Sequence, residues 1–219
     1  MCFSASASFT AGAFLIPTGL YCVYSAYELK RFHYMLLSFV PFFFGVQQLI
    51  EGVVWLSLTH NWPHMLRAFS IGFVFFSHFF WPFWIPLSIY MIGYNKKSLR
   101  ARFKLVLSAI GTIMGIAFFI PILMHQGEVQ ANMCANMIHY DTSTIVHAFF
   151  KTSIFKYLYV AIIVIPPLIS KDWAVKIFGV LILISVIITY LFYTYQFNSV
   201  WCFFCAVLSI YVVFLKFTS

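Results

Sequence analysis

Seven stretches of this chain run apolar for about 20 residues or more, at roughly 8–29, 34–58, 68–94, 105–124, 150–169, 174–196 and 199–217. That is about the length of helix, 20 residues, needed to cross the hydrocarbon of a bilayer. The runs are continuous and lack the period-two alternation of barrel strands. In lipid each backbone polar group must be satisfied within its own segment, so the spans are expected as helices. The expected fold class is all-α: a polytopic membrane protein forming a single seven-helix transmembrane bundle over residues 1–219. Only 8% of the residues are charged, against about 25% in a soluble domain, too few to cover a water-facing surface. At 63% hydrophobic the chain also lacks the composition of a disordered protein. The net charge of +8 does not imply nucleic-acid binding, because the basic residues fall in short clusters between apolar runs.

Those clusters set an expected orientation. Ten of the 13 Lys and Arg residues fall on one side: Lys30, Arg31, Lys96, Lys97, Arg100, Arg102, Lys104, Lys171, Lys176 and Lys216. Only Arg67, Lys151 and Lys156 fall on the other. The positive-inside rule then puts the N-terminus outside and the C-terminus in the cytoplasm. The first positive charges follow the first apolar core, the reverse of a secretory signal, and no lipobox precedes Cys2. The chain shows no internal repeat, and its pattern sets no oligomeric state. The longest connection, 125–144 on the outer side, has the length of a lid or binding loop.

Several polar groups interrupt the apolar spans. In the second, Gln47, Gln48, Glu51 and Trp55 make one stripe at helical spacing. Glu51 lies about seven residues, or roughly 10 Å, below the outer end. A carboxylate at that depth should face the bundle interior and have a partner, and Lys156 is the basic residue expected within reach. In the third span Pro82 cannot donate to the carbonyl of His78, which predicts a kink and a freed carbonyl beside an imidazole. The last span opens with Trp201-Cys202-Phe203-Phe204-Cys205, whose Cys-x-x-Cys spacing puts two thiols on one helical face. Such a pair can ligate a soft metal, cycle as a dithiol or simply pack. At the N-terminus Cys2 would present an amine and a thiol together if Met1 is removed. Ser4, Ser6 and Ser8 can cap the first helix, with Ser8 the expected N-cap. His125, His139 and His147, with Glu128, Cys134 and Asp141, match no standard zinc spacing. Cys2, Gln47, Glu51, His78, Trp201, Cys202 and Cys205 all fall in the outer half, which predicts one outward-facing polar cavity.

At these positions the sequence resembles an uncharacterised family of bacterial seven-helix membrane proteins. The shared segments are Met1 to Ala5 (Met-Cys-Phe-Ser-Ala), Gly45 to Trp55 (Gly-x-x-Gln-x-x-Glu-Gly-x-x-Trp), Trp81 to Leu87 (Trp-Pro-x-x-x-Pro-Leu) and Trp201 to Phe204. The resemblance spans the chain and implies a site drawn from Cys2, Ser4, Gln48, Glu51, Trp55, Trp81, Pro82, Trp201 and Cys202. His78 and Cys205 are not part of it, and it implies no activity. A microbial rhodopsin would need a lysine midway along the last span, where this chain has only Lys216 at the end. The intramembrane zinc hydrolases need three deep histidines, where only His78 is deep.

Three functions are then in competition. The first is a binding protein or sensor that holds a metal ion or small ligand. Cys2, Glu51, His78 and Cys202 would be the ligands of a zinc or copper ion, with Ser4, Gln47, Gln48, Trp55, Trp81 and Trp201 contacting a ligand. The second is an intramembrane enzyme with Cys2 as nucleophile and Glu51 as acid/base on a lipid or periplasmic substrate. The third is a small transporter, disfavoured by the lack of an inverted repeat. The partners expected are the lipid bilayer and the ligand, with no nucleic acid.

Overall fold

The computed structural model describes residues 4–93, 98–125, 129–134, 137–141, 154–193 and 196–218. Cys2, Lys96, Lys97, Glu128, His147 and Lys151 lie outside them. The described elements are α1 (Ala5–Glu28), α2 (Phe32–Thr59), α3 (Pro63–Ile92), α4 (Leu99–Met124), a hairpin of β1 (Gln130–Cys134) and β2 (Met137–Asp141), α5 (Ile154–Leu168), α6 (Trp173–Phe192) and α7 (Phe197–Leu215). Six of the helices are long and apolar enough to cross a membrane, the architecture of a multi-pass membrane protein. α5 is equally apolar but shorter over its described residues. The surface agrees with the composition: Phe14, Ile113, Ile116, Ile120, Ile187 and Leu191 all face outward, as side chains meeting lipid would.

α1 and α2 pack with their backbones close together. Gly12 and Gly19 on α1, and Gly45 and Gly52 on α2, each recur after seven residues and so stay on one face of their helix. A Cβ at Gly19 would lie 2.3 Å from the Phe42 backbone nitrogen, and one at Gly45 would lie 2.9 Å from the Ile16 nitrogen. Small residues are how membrane helices approach this closely. α3 meets α4 in the same manner, since a Cβ at Gly111 would fall 2.1 Å from the Pro82 carbonyl oxygen.

Where a kink is expected before Pro82, α3 shows a change of helical register. Residues Phe75–Phe80 wind as a π-helix, and the Trp81 N–H bonds to the Phe76 carbonyl, five residues back. In that register the next donor belongs to Pro82, which has none, and the carbonyl it would have met is that of Ser77. The freed carbonyl is therefore one residue earlier than simple α-helical counting gives. It does not stay open, because the Tyr159 hydroxyl on α5 donates to it at 2.5 Å.

The connection expected as a loop at 125–144 contains the antiparallel hairpin, with Ala131 opposite Tyr140 and Met133 opposite Ile138. Ala131, Met137, Ile138 and Tyr140 are buried, while Asn132 and Met133 are exposed. The hairpin lies over one end of the bundle, where Tyr140 stacks on Phe73 at 4.3 Å and 6°. Its buried residues form one apolar cluster with Val54, Trp55, Ile122 and Cys202. At the opposite end Asp172 caps α6 by accepting from the Ala174 and Val175 N–H groups, and it also accepts from the Tyr34 hydroxyl.

This packing generates a contrast. Gly19→Ala and Gly111→Ala should each destabilise the purified protein by about 1–3 kcal/mol or more, since backbone atoms must move. Gly72→Ala, whose nearest new neighbour is a side-chain atom at 3.6 Å, should stay within about 0.5 kcal/mol. Thermal unfolding in one detergent, followed for all three, checks this.

Candidate functional site

The predicted polar stripe on α2 is buried to its full length. Gln47, Gln48 and Glu51 have no exposed surface, and Trp55 is 5% exposed. Glu51 accepts from the Ser199 hydroxyl at 2.5 Å and from Gln48 Nε2 at 3.2 Å. Lys156, the basic residue expected to approach it, is exposed. Gln47 accepts through Oε1 from the Trp81 indole N–H at 2.8 Å, and Trp81 stacks on Phe44 at 3.8 Å.

These bonds fix the orientation of both amides. The indole is only a donor, so Gln47 must turn its oxygen to Trp81 and leave its NH₂ free to point elsewhere. Gln48 turns its NH₂ to the carboxylate and is left with its oxygen. Among the described residues, Gln47 Nε2, Gln48 Oε1, Trp55 Nε1 and Ser8 Oγ are buried without a hydrogen-bond partner. Ser8 belongs to the same region. Its neighbour Phe9 lies against Gly52, and Gly12, one turn further along α1, meets Leu49. The orphans thus come from two helices at the level of one carboxylate.

The last helix completes the site through one face. Ser199 and Cys202 are three residues apart on α7, and the Cys202 thiol lies against the Gln47 amide and near Glu51 and Cys205. Trp201 donates from its indole N–H to Ser185 Oγ at 3.2 Å and packs edge-on against Tyr159. Beside the polar groups lies a cavity of about 20 Å³, lined by Phe44, Trp81, Tyr159, Trp201, Cys202, Cys205 and three isoleucines with Phe178.

The structure gathers Gln47, Gln48, Glu51, Trp55, Trp81 and Cys202, and sets Trp201 beside them. It does not bring His78 to them. The imidazole pairs with Ser77 Oγ at 2.8 Å and faces Phe118 on α4. Ser4 is the N-cap of α1, accepting from the Ala7 N–H at 3.2 Å. That corrects the expectation that Ser8 caps the helix and gives Ser4 a structural task. Cys2 lies outside the described residues, so the nucleophile role has no geometry here. Of the expected metal ligands among the described residues, Glu51 and Cys202 are neighbours and His78 is apart from them. Among the described residues no three His, Cys, Asp or Glu side chains come together to hold a metal ion. Sequence reasoning missed Ser199, Ser8 and Tyr159. Ser199 was visible in principle, because a residue three before Cys202 shares its face.

The fold and this buried centre define a helical protein of multi-pass membrane architecture with one polar cluster under a hairpin roof. The chain belongs to a family of unknown function, DUF6629, whose model matches residues 1–219. No curated protein and no solved structure matches it.

Two serines should respond with opposite sign. Ser199→Ala removes a partner from a buried carboxylate and should cost about 1–3 kcal/mol. Ser8→Ala removes a buried hydroxyl that has no partner and should leave the protein unchanged or up to about 1 kcal/mol more stable when no ligand is bound. Unfolding curves on protein washed extensively in detergent check both signs.

Proposed function

We propose that this protein is a seven-span membrane protein that binds a small hydrogen-bonding ligand at the Glu51 cluster, in the outer half of a bacterial inner membrane. The supporting observation is that Gln47 Nε2, Gln48 Oε1 and Trp55 Nε1 on the helix of Glu51, and Ser8 Oγ on the helix packed against it, are buried without a hydrogen-bond partner. A buried polar group without a partner costs about 1–3 kcal/mol, and the apolar surroundings offer no bulk water to meet it. Such groups persist in native structures mainly where something completes them. The mixture decides the ligand chemistry. Gln47 and Trp55 offer N–H donors, which cannot ligate a cation, while Gln48 offers an acceptor beside the carboxylate. A molecule of a few heavy atoms with both donor and acceptor groups fits this set better than a zinc or copper ion held by Cys2, Glu51, His78 and Cys202.

The orientation, N-terminus outside and C-terminus cytoplasmic, is supported by the ten-to-three distribution of Lys and Arg. It makes the hairpin end the outer end and places the cluster near the outside. A fluorescent protein fused after Ser219 should fluoresce, and alkaline phosphatase fused there should be inactive. The reverse would place the cluster on the cytoplasmic side.

The binding proposal is tested by native mass spectrometry on protein taken from its membrane into nanodiscs. The wild type should carry one non-lipid adduct of low mass per chain. Glu51→Gln keeps the shape and most hydrogen bonds of the site, so it should remain monodisperse with near-normal thermal stability while its adduct falls at least tenfold. Equal adduct content in wild type and variant, or none in either, would assign Glu51 to packing.

A further inference from the structure

We propose that Cys202 and Cys205 form a second site, adjoining the Glu51 cluster at Cys202: a two-sulfur site for a soft monovalent cation of the Cu(I) class. The pair is three residues apart on α7, so both thiols project from one face. Both line the same cavity, whose volume of about 20 Å³ is enough for one water molecule or one bare ion. A cation entering so small a space must shed its hydration shell and replace it with what the wall provides. Here the wall provides two sulfurs and the rings of Phe44, Trp81, Tyr159 and Trp201, with aliphatic side chains behind them. Hard cations need about six oxygen donors and zinc about four ligands. Among the described residues no three-ligand group exists. Soft thiolate-seeking ions are the class that such a wall suits, and the aromatic faces add cation–π attraction.

Three further features fit this occupant. Trp81 and Trp201 are each held by an indole hydrogen bond, to Gln47 and Ser185, so the aromatic walls are fixed in advance. The Gln47 amide lies against the Cys202 thiol, and its Nε2 makes no hydrogen bond to a protein group. It is placed to donate to a thiolate sulfur once one forms. Cys205 is partly exposed while Cys202 is buried, so Cys205 is the outer sulfur of the pair. The exchange balances in charge. One thiol S–H bond breaks and its proton leaves to the solvent buffer. The sulfur left behind forms a bond to the monovalent ion, and the second thiol donates a lone pair. The cavity is neutral before and after, as an apolar interior requires.

Ag(I) is the probe, used on full-length protein in which Cys2, Cys22 and Cys134 are all changed to Ser, so that only Cys202 and Cys205 remain. After exposure to Ag(I) and passage over a thiol resin, elemental analysis should find one silver per chain, and Zn(II) treated in the same way should not be retained. Cys202→Ser and Cys205→Ser should each lower silver retention at least tenfold. Cys202→Ala and Cys205→Ala serve in their place if a buried serine disturbs folding, which size-exclusion profiles reveal. No retained silver, or retention that survives the loss of either sulfur, overturns the site. Silver retention and the low-mass adduct are read on separate samples by separate methods, so this result and that for the Glu51 ligand, on whose site this one does not rest, can fail independently.

Discussion

A carboxylate with no exposed surface in an apolar bundle has to be met by groups brought to it from other helices. Burial of a polar group is costly unless it is hydrogen-bonded, and burial of a charge is costlier still. Glu51 is met from its own helix by Gln48 and from α7 by Ser199. That second contact joins residues 148 positions apart in the chain, so the carboxylate serves as a meeting point for the first and last parts of the fold. The close approach of α1 to α2 through their glycines brings Ser8 to the same level. The hairpin then roofs the site by packing Ile138 and Tyr140 into the cluster that contains Trp55 and Cys202.

The α3 distortion belongs to the same arrangement. Trp81, the residue that closes the π turn, carries the indole that fixes Gln47. Earlier in that turn the Ser77 carbonyl is taken by Tyr159 on α5, and the His78 imidazole faces Phe118 on α4. A single extra residue in the helical register thus turns Trp81 toward the polar cluster while the Ser77 carbonyl is taken by Tyr159. π-turns recur at functional sites because they re-aim side chains in this manner. Here the outcome is a wall shared between the Glu51 cluster and the cavity of Cys202 and Cys205.

Much of this architecture could be read from the chain. Long apolar runs identified the helices because the length of a span is dictated by the bilayer, and the stripe of Gln47, Gln48, Glu51 and Trp55 identified the buried centre because helical spacing alone puts those residues together. Other features depend on tertiary contacts that spacing does not encode. His78 was drawn toward the site by its depth in the bundle, yet depth does not specify azimuth, and the π turn rotates it to face Phe118. Ser4 and Ser8 are equivalent as capping residues in sequence; only the actual start of α1 decides that Ser4 caps and Ser8 is buried. The hairpin is not legible as strands because its apolar alternation is short and weak. It becomes a roof only when Ala131, Ile138 and Tyr140 find Phe73 and Trp55 beneath them.

The central claim is that Gln47, Gln48, Glu51 and Trp55 surround a ligand and do not merely satisfy one another. A high-resolution cryo-EM map of the protein isolated from its own membrane tests this most directly. The account predicts non-protein density within about 3 Å of both Gln47 Nε2 and Trp55 Nε1, the ordinary hydrogen-bond distance. A map in which those two nitrogens and Gln48 Oε1 are all bonded to protein groups, with no further density among them, would contradict it.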